Sequence, residues 1–344
     1  MKQIWISKAG APEVLEIREA PDPKPTADEI LLEVRSAGVN FADIMTRMGM
    51  YRDAPPLPCV VGYEVAGVVL ETGENVVSFK LGDRVMGMTR FGGYSSRVVI
   101  PRNQIFPLPD GWSFHEAAGF PVNYITAYQM LVVMGAVYEG CTVLVHGAGG
   151  GVGTAATQLA RIYRAEIYGT GSAWKHDYMR LNGVDYPINY RDRDFVRQIH
   201  DLTDGQGVEI VLDSLGGKHW KRSYKVLRAT GRLIMFGASN LTSGKRRSFF
   251  HMIKTVLNMP HFTFHPINLI DENKGVLGVN LGHMWHESDR ITGWVEHMLK
   301  WVSEGKLRPQ IDRVFSFREA PKAHHYIQDR KNRGKVCLAP EKTL

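Results

Sequence analysis

Apolar and polar positions alternate in short runs through the first third of the chain. Residues 2–6, 30–34 and 66–70 each carry the two-residue period of a strand, and Gly, Pro and Asp turns separate them. Prolines at 21, 23, 25, 55, 56 and 58 argue against helices around them. Gly82-Asp83 reads as a turn into a strand that includes Val85 and Met86, and Gly92-Gly93-Tyr94 as a further turn. Many short strands of this kind pack as a barrel or a strongly bent sheet. From about residue 121 the rhythm changes. Residues 142–146 form a compact apolar run, a glycine-rich turn follows, and residues 154–165 carry apolar positions at helical spacing. Runs at 166–170, 208–213 and 232–236 repeat the pattern with helical segments between them, which predicts parallel βαβ units in a doubly wound sheet. The tail predicts a helix over 291–304 and strands at 313–317 and 336–338 that rejoin the first domain. The expected fold class is therefore α/β, with a discontinuous β-rich domain at 1–120 and 283–344 and a nucleotide-binding domain at 121–282.

At 344 residues the chain is long enough for two cores. Its 44% hydrophobic and 22% charged residues suit an ordinary soluble globular protein. Cys59, Cys141 and Cys337 form no CxxC pair, so a disulfide scaffold and a cysteine-rich structural zinc are both disfavoured. A cytoplasmic location is expected, since the N-terminus lacks a signal-peptide run and no stretch approaches the roughly 20 apolar residues of a membrane span. The net charge of +7 favours anionic ligands such as nucleotide phosphates. Nucleic acid is set aside, because the basic residues are scattered outside 245–247 and 330–335 and no recognition motif accompanies them. The basic, aromatic-rich stretch 245–264 fits a surface helix and loop, or an element that meets a membrane surface or a partner.

The most informative segment is His146-Gly147-Ala148-Gly149-Gly150-Gly151-Val152-Gly153. Ala148, Gly150 and Gly153 give A-x-G-x-x-G, a dinucleotide fingerprint with Ala in the first glycine's place. Small residues are needed because a pyrophosphate must approach bare backbone N–H groups at a helix N-terminus. The segment follows a predicted strand and opens a predicted helix, which is the context that gives the motif meaning. An NAD site usually places Asp or Glu about 20 residues beyond the glycines. Here that place reads Gly169-Thr170-Gly171-Ser172-Ala173-Trp174-Lys175-His176, with no carboxylate before Asp177. Ser172 and Lys175 can donate to a 2′-phosphate, so NADPH is the expected cofactor. The alternative for Lys175 is a solvated loop.

With these segments in view, the chain resembles the zinc-independent quinone oxidoreductase branch of the medium-chain dehydrogenase/reductase superfamily. The resemblance rests on residues 38–43, 62–67, 82–85, 145–153, 213–217 and 334–336, and so spans the chain. Within the branch, residues 40–51, 55–58, 238–241 and 278–282 are most similar to the vesicle amine transport protein subfamily. The resemblance implies a GroES-like first domain, a Rossmann domain and an active-site cleft between them. It implies that Asn40 lies near nicotinamide and substrate, with Tyr51 lining the cleft and Thr126 at the nicotinamide end. Gly150, Gly151 and Val152 would hold the pyrophosphate, and Gly171, Ser172, Lys175 and Tyr190 the 2′-phosphate. Phe236, Gly237, Gly278, Val279 and Asn280 would pack along the nicotinamide half, with Arg330 and Lys335 reaching the cofactor from the tail. Many relatives carry Tyr five residues after the Asn, where this chain has Met45, which makes that wall of the pocket more apolar.

Zinc-using members of the superfamily place Cys near position 40 and His before the Glu of the Gly-x-Glu stretch. This chain has Asn40 and Tyr63 there and lacks the four-cysteine lobe, so no metal is expected. His283, His286, His324 and His325 read as ordinary surface residues. Without a Lewis acid, the chemistry suits acceptors that already take hydride readily, namely quinones and α,β-unsaturated carbonyls. The expected roles are orientation by Asn40 and donation toward a developing oxyanion by Tyr51 or a water, with a water-excluding lid as the other reading of Tyr51. Two alternatives stand beside this quinone reductase. One is an enoyl-thioester or alkenal reductase; the other is a non-enzymatic NADPH-binding protein acting as a vesicle-associated or scaffold factor. Relatives commonly pair through the edge of the Rossmann sheet, which implies a homodimer.

Overall fold

The computed structural model describes residues 1–239 and 265–340. The basic stretch 245–264 and the pair Asn240-Leu241 lie outside the described residues. The chain divides into two compact units, Met1–Ile125 with Leu281–Leu344, and Thr126–Asn280.

The first unit opens with β1 (Lys2–Ile6), β2 (Leu15–Glu19), β3 (Glu29–Val39), β4 (Cys59–Val60), β5 (Glu64–Thr72), β6 (Arg84–Met88), β7 (Arg97–Pro101) and β8 (Ile105–Pro107). β1 sits between β2 and β4 in a small antiparallel sheet. The larger sheet is organised by β3, which pairs antiparallel with β5 and also with β7. Two register shifts against β5, at Leu31/Leu32 and Val34/Ser36, mark irregularities of the kind that bend a strand. Ile4, Ile30, Leu32, Val65, Val85 and Ile100 fill one buried core. A short helix, Phe41–Arg47, follows β3 directly. Strand periodicity does not reveal it, but its capping box does: Asn40 stands at the N-cap and the Asp43 side chain accepts from the Asn40 backbone N–H.

The second unit holds β9 (Thr142–His146), β10 (Glu166–Gly171), β11 (Tyr186–Asn189), β12 (Val208–Asp213), β13 (Leu227–Met235) and β14 (Gly275–Gly278). They are all parallel in the order β11-β10-β9-β12-β13-β14. This is the doubly wound order, with its reversal between β9 and β12, where such sheets bind ligands beyond the strand C-termini. The helix after β9 runs Gly151–Ile162, three residues earlier at each end than its apolar spacing predicts. Its first turn is Gly-Val-Gly, where one apolar residue between two glycines gives no helical spacing to read, and Arg164 follows its C-cap, Tyr163, with a left-handed φ of 53°.

The tail returns to the first unit through the helix Ser288–Ser303, β15 (Ile311–Ser316), the helix Ala320–Gln328 and β16 (Lys335–Ala339). β15 and β16 run parallel, and β16 pairs antiparallel with the end of β3, Leu338 opposite Ala37. This places Lys335 close to Asn40, almost 300 residues away in sequence.

Candidate functional site

In the second unit the fingerprint forms a tight turn. Gly147 has a φ of +68°, and the Gly150 N–H donates to the Gly147 carbonyl at 2.9 Å. A Cβ on Gly153 would lie 2.4 Å from that same carbonyl oxygen, so only glycine fits. Gly150 is the helix N-cap and Gly151 and Val152 fill the first turn, whose backbone N–H groups have no intrahelical acceptors. These three residues together make an anion cradle of the kind a pyrophosphate needs. Beyond β10, Ser172 meets Tyr190, and the Lys175 N–H donates to the Ser172 carbonyl at 2.8 Å. The Ser172 hydroxyl lies 3.4 Å from the Tyr190 hydroxyl, and Lys175 is buried to 8% exposure with its Nζ 5.1 Å from the Trp174 ring centre. Lys175 is therefore no solvated loop residue. Gly171 ends β10 beside them, while the nearest carboxylate, Asp177, points to solvent at 96% exposure. Phe236-Gly237 and Gly278-Val279-Asn280 follow the neighbouring strands β13 and β14, joined by a bond from Val279 N–H to the Met235 carbonyl at 2.9 Å. Thr126 is largely buried in the helix Pro121–Tyr128.

Sequence reading missed a buried constellation at the reversal between β9 and β12. The Ser223 hydroxyl donates to Asp213 Oδ2 at 2.7 Å and lies 3.1 Å from His146 Nε2, and His219 Nδ1 lies 2.7 Å from the same Asp213 oxygen. Asp213 Oδ1 accepts from the Leu215 and Gly216 N–H groups, and His146 Nδ1 meets the Thr170 hydroxyl. Burial drives His146 down to about 3, so it is neutral; bonds from His219 and Ser223 outweigh burial and hold Asp213 below the usual carboxylate range. Ligand atoms of His146, Asp213 and His219 all lie within 4.8 Å of one another, a spacing that can hold a metal. Internal hydrogen bonds already occupy these atoms, and the network ties the start of the fingerprint to the loop after β12.

In the first unit the decisive group is Asn40 with Glu64 and Lys335. Glu64 is fully buried and Lys335 is 3% exposed. Lys335 Nζ donates to Asn40 Oδ1 at 2.7 Å and also to Glu64, and Asn40 Nδ2 donates to Glu64 Oε1 at 3.0 Å. The other Glu64 oxygen accepts the Val122 N–H at 2.8 Å. A Cβ on Gly38 would meet Glu64 Oε1 at 2.5 Å, so Gly38 makes room for the carboxylate. Lys335 is thus committed to Asn40 and Glu64. Arg330 takes a left-handed φ of 58° just after the helix Ala320–Gln328. Beside this cluster, Asp43 accepts the Asn40 and Gly62 N–H groups and the Tyr94 hydroxyl, and burial raises it to about 7. Tyr94 in turn lies 3.2 Å from His324 Nε2. His324 corrects the surface expectation: it is fully buried, because Ala320, Ala323 and His324 share the inward face of their helix at i, i+3 and i+4. His283, His286 and His325 are exposed. Tyr51 is half-buried, and burial holds its phenol above the usual range and therefore protonated. It lines a cavity of about 310 Å³ with Asp53, Tyr63, Arg90, Phe91 and Trp285.

Comparison with known proteins bears on this arrangement. Residues 26–110 match the alcohol dehydrogenase GroES-like domain, and residues 182–338 match a zinc-binding dehydrogenase domain. The chain is 40% identical over 327 residues to the rat (Rattus norvegicus) synaptic vesicle membrane protein VAT-1 homolog, covering 95% of this chain and 80% of that protein. This chain belongs to the medium-chain dehydrogenase/reductase superfamily. Within it, the chain groups with the VAT-1 homologs and quinone oxidoreductases, and it is an NAD(P)-dependent oxidoreductase of that family with a GroES-like and a Rossmann-like domain. Quinone oxidoreductase of Escherichia coli complexed with NADPH superimposes with a TM-score of 0.86 at 29% identity, covering 99% of this chain and 100% of that one. CurK enoyl reductase gives 0.84 at 28%, covering 98% and 99%. Zinc, which some members of the superfamily use, does not fit this chain's Asn40 position. The donors there are an amide and one carboxylate, both engaged by a buried ammonium, with no thiolate or imidazole among them. No helix among the described residues is long and apolar enough to cross a membrane.

Proposed function

We propose that this protein is a zinc-independent, NADPH-dependent oxidoreductase that reduces a quinone or an α,β-unsaturated carbonyl. The observation that carries the reading is the Lys335 ammonium, buried between Asn40 and Glu64. It supplies a fixed positive charge where a metal-using relative would need a thiolate, and it leaves no free donor set for zinc. The acceptor must then be one whose own conjugation takes up the charge that arrives with hydride.

Bound NADPH supplies the hydride. Gly150, Gly151 and Val152 offer backbone N–H groups to its pyrophosphate. Ser172, Lys175 and Tyr190, with Gly171 at their edge, receive the 2′-phosphate, and the solvent-facing Asp177 does not repel it. Thr126, Phe236, Gly237, Gly278, Val279 and Asn280 complete the nicotinamide half. Asn40 spends its carbonyl on Lys335 and one N–H on Glu64, which leaves its second N–H for a ligand oxygen. Tyr51, kept neutral by burial, serves as a second donor toward the developing oxyanion. The similarity to CurK enoyl reductase favours a second reading, reduction of an enoyl thioester by the same hydride step.

The test is oxidation of NADPH and of NADH, followed by nicotinamide absorbance, with quinones, an alkenal and an enoyl thioester as acceptors. Turnover with NADPH that chelators leave unchanged is the expected result, and the acceptor that turns over separates the two readings. Tight NADPH binding without turnover on any acceptor would overturn both in favour of a binding protein.

A further inference from the structure

The cavity of the first unit is walled largely by aromatic rings, and of its two charged side chains, Asp53 and Arg90, only Asp53 has a partner among the described residues. Tyr51 meets Tyr63 edge-on, with ring centres 6.2 Å apart and planes at 80°. Tyr63 meets Phe91 at 5.4 Å and 56°, and Trp285 adds a further aromatic face to the lining. Buried aromatic contacts of this sort hold rings in fixed orientations, and fixed rings select flat, conjugated guests. The polar residues of the lining are unequal. Asp53, its one carboxylate, is taken by His283 Nε2 at 2.7 Å. Arg90 is exposed and makes no ion pair or hydrogen bond among the described residues. A guanidinium that no carboxylate bonds, beside aromatic walls, is a fork for a planar or tetrahedral oxyanion. The excess of basic residues, +7 over the chain, adds attraction for an anion at longer range.

We propose that the physiological acceptor is a flat conjugated molecule bearing an anionic substituent, held by the aromatic walls with Arg90 as its counter-charge. The proposal rests on the hydride-transfer reading and narrows its substrate class. The acceptor gains the two electrons of a hydride and a solvent proton, forming the hydroquinone or saturated carbonyl, while NADPH leaves as NADP⁺. The anionic group breaks and forms no bond; it sets affinity and register.

The experiment compares naphthoquinone with naphthoquinone sulfonate as acceptors for the full-length protein and its Arg90→Gln and Arg90→Lys variants. Binding of naphthalene sulfonate, which accepts no hydride, is measured by calorimetry in parallel. A charge-assisted bond is worth about 1.5–3 kcal/mol, or roughly tenfold to a hundredfold in binding. The ratio of kcat/KM for sulfonate over neutral quinone is therefore expected to fall about tenfold or more in Arg90→Gln, mainly through KM. Arg90→Lys should recover part of it, and the naphthalene sulfonate Kd should rise in step. An unchanged ratio together with an unchanged Kd overturns the proposal. Failure of the hydride reading looks different: neither quinone turns over, yet naphthalene sulfonate still binds and still depends on Arg90.

Discussion

Each unit buries a polar cluster beside its candidate site, and the two are built on opposite plans. The cluster of the second unit is closed: Asp213 accepts from two backbone N–H groups, His219 and Ser223, and His146 is bonded at both ring nitrogens. The cluster of the first unit is open. Arg47 is 1% exposed and bonds Gln328 through Nη2, yet among the described residues its Nε and Nη1 have no hydrogen-bond partner, and neither do His324 Nδ1 or Thr46 Oγ1. It also holds formal charges, Lys335 with Glu64 and an Asp43 raised by burial. A satisfied network fixes geometry, whereas a charged and partly satisfied one costs stability and is retained where chemistry needs it. On the proposed function, the closed network of the second unit would hold the cofactor cradle in shape, and the charged one of the first would serve the reaction.

The largest test of this contrast is Lys335→Met. Removing one partner of a buried ion pair leaves the other uncompensated, which costs about 3–5 kcal/mol. Chemical denaturation should show that loss. The double variant Lys335→Met with Glu64→Gln should recover part of it without restoring activity, because Asn40 loses the ammonium that orients its amide. A loss below about 1 kcal/mol in the single variant would mean the pair is solvated and the first unit is not loaded as described.

Acid should separate the units next. His146 and His324 both take a proton near 3 when folded but near 6.5 when unfolded, so the stability each contributes above 6.5 is lost as pH falls toward 3. Asp213, held low in the fold, adds to the loss in the second unit at the lower end of that range. Asp43 acts the other way: folded it titrates near 7 and unfolded near 3.8, so its contribution is full below 3.8 and declines as pH rises toward 7. In the first unit the slopes of Asp43 and His324 oppose each other; in the second they reinforce. Hydrogen exchange at pH 5 against pH 7 should therefore show protection falling first around β9 and β12, and a loss confined to β3 and β5 would reverse the assignment.

Much of the second unit could be read from sequence, and little of the first unit's site could. The fingerprint at 146–153, the strand runs and the Ser172–Lys175 segment are local patterns, and local patterns survive in one dimension. The residues that meet across long separations carry no such signal. Lys335 reaches Asn40 only because β16 joins β3, and Asp213 reaches His146 only because β12 lies beside β9. Resemblance placed Asn40 and Lys335 near the cofactor, but nothing in the spacing paired them. One local clue was available: Asn40-x-x-Asp43 is a capping box, which announces the helix Phe41–Arg47 that strand periodicity hid.

The cradle itself is tested by Lys175→Ala. If Lys175 donates to the 2′-phosphate as proposed, its loss should weaken NADPH binding about tenfold to a hundredfold and leave NADH nearly unchanged, as read by calorimetry. Equal weakening of both would place Lys175 in packing rather than recognition, since its side chain also covers Gly149.

The smallest test is also the sharpest, because it predicts different outcomes for the same kind of deletion. Ser223→Ala removes a hydroxyl that serves both His146 Nε2 and Asp213, leaving those buried groups short of partners at a cost of about 1–3 kcal/mol. Thr46→Val removes a hydroxyl that is buried without a well-formed bond, although the Tyr63 hydroxyl lies beside it. Its shape is kept and no partner is orphaned, so the change should be neutral or stabilising by a few tenths of a kcal/mol. Denaturation midpoints of the two variants decide the matter. If both deletions destabilise equally, Thr46 has a partner after all, and the open cluster of the first unit is as closed as that of the second.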